Sequence, residues 1–263
     1  MSQDIPATPL RVDEHVIGMV HSEWLGRLLQ APTPFRATPR GDIALAPGLN
    51  GFETRSQALA QWATEARDRW GVPGWRSERV VILLGDRPVF GIERALLRPL
   101  GLMLRSVQAS VFALGAHGPR LWLARRSMNK PIDPGCMDAL VAGGISGFDS
   151  ILETLQRECA EEAGIGPALA QQARACGTLE ICYDTIDQGL RVRHRESIAL
   201  HELQVPDSLQ PQAVDGEHDA ILAMTPLQVW HSLRTEAWTP DGAQATEALI
   251  RRRGWWPQEL MQA

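Results

Sequence analysis

The apolar positions of this chain change period several times, and each change predicts an element. Residues 12–30 place Val16, Val20, Trp24 and Leu28 at steps of four, the spacing of one helical face. Residues 31–50, with Pro32, Pro34, Pro39 and Pro47, read as loop with at most short strands. Residues 54–70 read as a second amphipathic helix, capped by Thr54 and ended by Gly71 and Pro73. An extended segment from Trp75 leads to the branched run at 80–84, and a short helical piece follows at 91–98. The pattern then turns to strands. Residues 106–115 and 120–127 flank His117-Gly118-Pro119 as a β-hairpin. Helices are expected at 150–163, shortly after Gly164, at 226–234 and at 240–253, with strands at 176–184, 190–202 and 218–224. The change of character near 105–118 divides the chain into an N-terminal module, 1–105, and a second domain, 106–263.

The run from Gly143 to Ile165, GGISGFDSILETLQRECAEEAGI, carries the chemistry. Ser150 with Glu153 fits a capping box that starts a helix just after Asp149, and Gly164 can close it in the left-handed conformation. Leu152, Leu155 and Cys159 would then face the core. With about 3.6 residues per turn, Glu158 and Glu162 are neighbours on one face and Glu161 lies beside them. Acidic pairs alone favour an ordinary solvated helix. The glycine lead-in, Arg157, the carboxylate triplet and Gly164 together favour a site. Carboxylates crowded in this way repel one another unless a cation sits among them. Mg²⁺ or Mn²⁺ suits such oxygen donors, and such a metal serves phosphate-ester and diphosphate chemistry.

Composition narrows the partners. The chain has 263 residues, a formal charge of -5 and 44% hydrophobic residues, so a substantial core is expected without the basic surface of a nucleic-acid binder. A DNA-binding regulator would also need a helix-turn-helix, and none is visible. Cys136, Cys159, Cys176 and Cys182 form no CxxC pair and read as reduced, mostly buried thiols of a cytoplasmic protein rather than a zinc site. The first residues are too polar for a signal peptide, and no apolar run reaches membrane-spanning length. Nine tryptophans are many for a chain of this length. Most read as core or domain-interface residues, with one or two available to line a ligand pocket. His117, His194, His201 and His218 show no metal spacing.

The acidic run resembles the Nudix box, G-x5-E-x7-R-E-U-x-E-E-x-G-U. Gly143 takes the first glycine, and Arg157, Glu158, Glu161, Glu162, Gly164 and Ile165 take the later positions. Asp149 replaces the first glutamate, and Gly144 completes the glycine lead-in. The segment before it, with Arg125, Arg126, Lys130, Pro134, Gly135 and Asp138, is similar to Nudix domains associated with thiamin pyrophosphokinase, except that Ala139 replaces their asparagine. WRSE at 75–78 and GIERALLRPLG at 91–101 resemble the N-terminal accessory (DUF4743-like) module of that group, and Asp215-Gly216-Glu217 resembles its DGE element. The resemblance implies an α+β fold: a Nudix α/β/α sandwich with a mixed sheet, preceded by a smaller mixed α/β module.

That resemblance also implies hydrolysis of a diphosphate linked to another moiety, with Mg²⁺ or Mn²⁺ held by Glu158, Glu161 and Glu162. Glu158, Glu162 or Glu217 would act on the attacking water, with Glu196 a weaker choice. Arg157 would hold the carboxylates in place. Arg125, Arg126, Lys130 and Asp138 would meet the substrate, and Trp24, Trp75 or Trp122 would stack on its ring. The implied substrate is thiamine diphosphate or its oxo and oxy analogues. ADP-ribose, NADH or another nucleoside diphosphate derivative is the alternative, and a non-catalytic ligand sensor is a third reading that the intact glutamates oppose. A homodimer remains open.

Overall fold

The computed structural model describes residues 7–130, 132–214 and 216–256. Strands β1 (Ala7–Val12) and β2 (His15–His21) form an antiparallel hairpin, followed by helix α1 (Ser22–Leu28). The single helix expected over 12–30 is therefore corrected: its first half is strand, with Asp13 at φ 53° making the turn. Strands β3 (Phe35–Ala37) and β4 (Ile43–Leu45) complete a mixed sheet of order β2-β1-β4-β3, in which β1 and β4 run parallel. Helix α2 (Phe52–Trp70) starts two residues before Thr54, so its N-cap is Gly51; its C-cap, Gly71, is left-handed as expected. Its face Leu59, Trp62, Ala63 and Ala66 is buried, which is the i, i+3, i+4, i+7 stripe of a core-facing helix. Strands β5 (Arg79–Leu84) and β6 (Arg87–Glu93) pair antiparallel. A 3-10 turn, Arg94–Leu96, and helix α3 (Leu97–Leu100) follow, so the helical piece expected at 91–98 begins later.

The remaining elements are β7 (Met103–Gly115), β8 (Gly118–Arg126), β9 (Met137–Ala139), β10 (Val141–Gly144), α4 (Ile151–Ala163), α5 (Pro167–Ala170), β11 (Arg174–Asp187), β12 (Leu190–Val205), β13 (His218–Met224), α6 (Pro226–Thr235) and α7 (Pro240–Arg252). Strand order is β11-β12-β7-β8-β13, with β10 on β7 and β9 on β8.

Contacts divide the chain into two compact units. The first holds the residues up to Arg105 together with Ile145–Phe148 and Glu180–Ser197; the second holds Ser106–Gly144, Asp149–Leu179 and the residues from Ile198 onward. The first has a core that includes Leu10, Trp24, Leu59, Trp62, Phe90 and Leu100. In the second, opposed residues on paired strands share a face. Phe112 pairs with Leu121 and Leu123 with Ala139, and this face packs with Met137 against Val229 of α6 and Leu249 and Ile250 of α7. The opposite face receives α4, where Gly143 abuts Glu158. The result is a helix–sheet–helix layering that leaves one face of the sheet to the acidic helix.

All four cysteines are free, but only Cys159 is buried and Cys182 is exposed, which corrects the expectation of mostly buried thiols. Among the described residues no helix is long and apolar enough to cross a membrane.

Candidate active site

The acidic helix is built as its local chemistry dictates. Ser150 Oγ accepts from Glu153 N at 3.2 Å and the Glu153 carboxylate accepts from Ser150 N at 2.8 Å, a complete capping box. Gly164, at φ 63°, ends the helix, and Ile165 N donates to Cys159 O. Ser150→Ala is expected to lower unfolding free energy by about 1 kcal/mol; denaturant titration checks this, and an unchanged midpoint would reject the cap's contribution.

The helix is rotated from its expected setting. Leu155 and Cys159 are fully buried, but Leu152 is 48% exposed. Glu158 and Glu162 lie on the buried side, 8% and 4% exposed, while the Glu161 side chain is half exposed. Positions 155, 158, 159 and 162 form one stripe, so the two carboxylates border the core rather than oppose it.

Burial pushes the Glu158 carboxyl up to about 7; Glu161 and Glu217 add repulsion, and Arg157 opposes the rise. Burial likewise pushes Glu162 well above its ordinary value, helped by Glu158, Glu217 and Asp138, although Ala142 N–H stabilises its anion. Arg157 Nη1 lies 2.7 Å from Glu158 Oε1 and 3.3 Å from Glu161 Oε2, and Arg157 Nη2 reaches Gly144 O. Ala142 N donates to Glu162 Oε2 at 2.7 Å, and His218 Nε2 stands 4.0 Å from Glu162 Oε1. Lys130 Nζ pairs with the Glu217 carboxylate. Among the described residues no three His, Cys, Asp or Glu side chains are already gathered as metal ligands. The donor set nevertheless fits a hard cation. Buried carboxylates that raise one another's pKa are costly as anions, and a divalent cation reverses that cost. Gly143 leaves the necessary room, because a Cβ there would overlap the Glu158 carboxyl group.

The other expected contacts separate on inspection. Arg125 and Arg126 are adjacent on β8 and point to opposite faces. Arg126 Nη1 binds Asp138 Oδ2 at 2.9 Å on the acidic-helix side, whereas Arg125 binds Gly135 O and Glu236 Oε2 on the other. Arg125 thus ties the end of its strand to the loop at Gly135 and to Glu236. Asp138 is 4% exposed, and its oxygens accept from Arg126, Ala139 N and Thr239 Oγ1, the residue that caps α7. Burial and Asp241 raise its pKa to about 6 against the pull of Arg126. Trp24, 2% exposed in the first unit's core, and Trp122, 6% exposed on β8, present almost no ring face to a ligand. Trp75 belongs to the first unit, where Arg67 stacks over it. Glu196 also belongs to the first unit, bonded to His194 at 2.8 Å. Asp215 lies outside the described residues.

Family models divide the sequence at one place. The model described as a domain of unknown function, DUF4743, matches residues 2–103, and the NUDIX domain model matches residues 104–249. The chain belongs to the Nudix family. It is 28% identical to Nudix hydrolase 24, chloroplastic, of Arabidopsis thaliana over 89% of this chain and 64% of that protein. It is 29% identical to Nudix hydrolase 20, chloroplastic, of the same plant over 84% of this chain and 61% of that protein. The chain thus spans less than two thirds of the length of these relatives. Their names place them in the chloroplast, so they lend nothing to the cytoplasmic expectation. The crystal structure of DR0079 from Deinococcus radiodurans aligns with a TM-score of 0.47 at 21% identity, covering 65% of this chain and 98% of that one.

Within the Nudix domain, sequence reasoning passed over two groups. His218 was given no role, yet it lies against Glu162. Its signal was position: it follows Glu217 at the first residue of β13, where successive side chains turn to opposite sides. Ala142 N–H carries no side-chain signal at all. Asp149, in the place of the box's first glutamate, is exposed one residue before the cap.

Proposed function

We propose that this protein hydrolyses the diphosphate linkage of thiamine diphosphate or its oxo and oxy analogues, with Mg²⁺ or Mn²⁺, to give the monophosphate. The observation that carries the chemistry is the buried Glu158–Glu162 pair, set against Gly143 and sharing charge with Glu217. Glu158 and Glu162, with Glu161 at the rim, would hold the metal, which when bound polarises a phosphoryl oxygen and acidifies water. Arg157 keeps Glu158 and Glu161 oriented. Ala142 N–H fixes one Glu162 oxygen and leaves the other toward His218. Glu217, half-buried and paired with Lys130, is the residue to take the proton of the attacking water; Lys130 and Arg126 supply positive charge for the phosphates.

The thiamine preference rests on the resemblance of residues 125–138 and of the N-terminal module. Phosphate and monophosphate release is to be measured with each metal on thiamine diphosphate, its oxo and oxy forms, ADP-ribose and NADH. Preferential turnover of the thiamine compounds is expected. Turnover of nucleotides instead would keep the metal chemistry and reject the substrate, and silence on all of them would favour a ligand sensor.

Metal affinity should depend on pH. Glu158 has a pKa raised to about 7, so below that value a cation must displace its proton. The dissociation constant for Mn²⁺ is expected to rise about tenfold per unit as pH falls below 7 through the Glu158 proton, and Glu162, also raised, steepens the dependence. Titration calorimetry across this range checks the slope. A pH-independent affinity would remove Glu158 from the ligand set.

A further inference from the structure

The loop Ile145–Phe148 joins β10 to the acidic helix, and all four of its residues belong to the first unit. Each has a partner within that unit. Ile145 N donates to Arg105 O at 2.8 Å, and Ser146 Oγ donates to Glu78 Oε1 at 2.6 Å. Gly147 N donates to Arg79 O at 2.8 Å, in a parallel bridge to Val80 that adds the loop to the β5–β6 pair. The Phe148 ring packs on Phe52 with centroids 5.3 Å apart.

The centre of this arrangement is Glu78. Arg94 Nη1 lies 3.1 and 3.0 Å from its two carboxylate oxygens, and Arg94 N donates to its carbonyl. Burial alone would raise the Glu78 carboxyl, but the Ser146 hydroxyl and the Arg94 guanidinium hold it below its ordinary value. It therefore stays an anion and a strong acceptor. Glu93 completes the support by accepting from Arg76 N. The WRSE and GIER segments, which the hydrolytic chemistry leaves unused, meet here.

The loop needs such support. Gly143 must be glycine to clear Glu158, and Gly147 adopts φ 53°, so the segment before α4 is rich in the residue that loses most freedom on ordering. Only Asp149 and the cap Ser150 separate it from the helix that carries Glu158 and Glu162. Displacements of about 1 Å at a catalytic group cost on the order of a hundredfold in rate. We propose that Glu78, fixed by Arg94, is a positioning residue: by holding Ser146 it orders the segment of chain that leads into α4. This rests on the reading of α4 as the catalytic helix.

Ser146→Ala and Glu78→Gln test it in the full chain, glutamine retaining an acceptor for the hydroxyl. Three readouts are compared: amide hydrogen exchange at Ile145 and Gly147, Mn²⁺ affinity, and the separation of kcat from KM. Ser146→Ala is expected to speed exchange in the loop about tenfold, as loss of a hydrogen bond to a charged group allows. It should weaken Mn²⁺ binding severalfold and lower kcat about tenfold with KM and Tm near wild type. Glu78→Gln should lie between the two. Unchanged loop exchange overturns the proposal, and so does faster exchange with wild-type Mn²⁺ affinity and kcat. If wild-type protein hydrolyses no diphosphate, the hydrolase reading fails by itself, and exchange with Mn²⁺ affinity still decides the positioning role.

Discussion

Glu162→Gln is expected to reduce metal-dependent turnover by roughly a hundred- to a thousandfold, the range for losing one preorganised electrostatic group in an active site, while leaving the fold at least as stable. Glutamine keeps the oxygen that accepts from Ala142 N–H and fills the same volume, so packing is preserved. What disappears is a charge on a side chain only 4% exposed. Its carboxyl is held well above the ordinary 4.5. The sign follows from linkage: the folded state binds this proton more tightly than the unfolded state, so ionisation removes stability progressively as pH rises above 4.5. Glutamine cannot ionise. Without added metal the variant should therefore melt above wild type at neutral pH, and the difference should vanish in acid below the ordinary carboxylate range. Full turnover with intact metal dependence would remove Glu162 from the site. A variant less stable at neutral pH would show that the charge is compensated by a group other than Ala142.

The local elements of this site were legible because their causes are local. Ser150 and Glu153 are three residues apart, Gly164 ends the helix it follows, and the β7–β8 hairpin turns at Ala116 and His117, between two paired glycines. The misread segment 12–30 has an equally local explanation. Val16, Val20, Trp24 and Leu28 lie four apart, a spacing that a strand can carry as well as a helix; in β2 a register shift leaves Val16 exposed and Val20 buried. The turn at Asp13 and the pairing of β2 with β1 decided between them. Other contacts are long-range. Asp138 meets Thr239 across 101 positions of sequence, and Glu78 meets Ser146 across 68. Spacing cannot show such partners. Trp24 and Trp122 were offered as stacking residues because composition counts rings without telling which ones the core takes. Arg125 and Arg126 were both offered to the substrate, and strand alternation separates them once β8 is known to run through Arg126.

Gly143→Ala is expected to disable the acidic site while leaving its strand intact. Gly143 does not have a positive φ, so alanine is permitted by the backbone and the strand should form. The cost falls on the neighbour: the new Cβ would occupy the space of the Glu158 carboxyl group, carboxylate oxygen included. A contact that close cannot be absorbed by the few tenths of an ångström that a packed site yields, so Glu158 must leave its position against β10 and its pairing with Arg157. Mn²⁺ affinity should fall at least about tenfold, and kcat about a hundredfold, the range for disturbed ligand orientation at a metal site. Far-ultraviolet circular dichroism should be unchanged. The decisive measurement is a double-mutant cycle with Glu158→Asp, whose shorter side chain withdraws from the new methyl group. If the overlap is the cause, Glu158→Asp harms metal binding less in the Gly143→Ala background than in wild type, a coupling expected of residues in contact. Strict additivity would mean that Gly143 serves the backbone of β10 and not the carboxylate beside it.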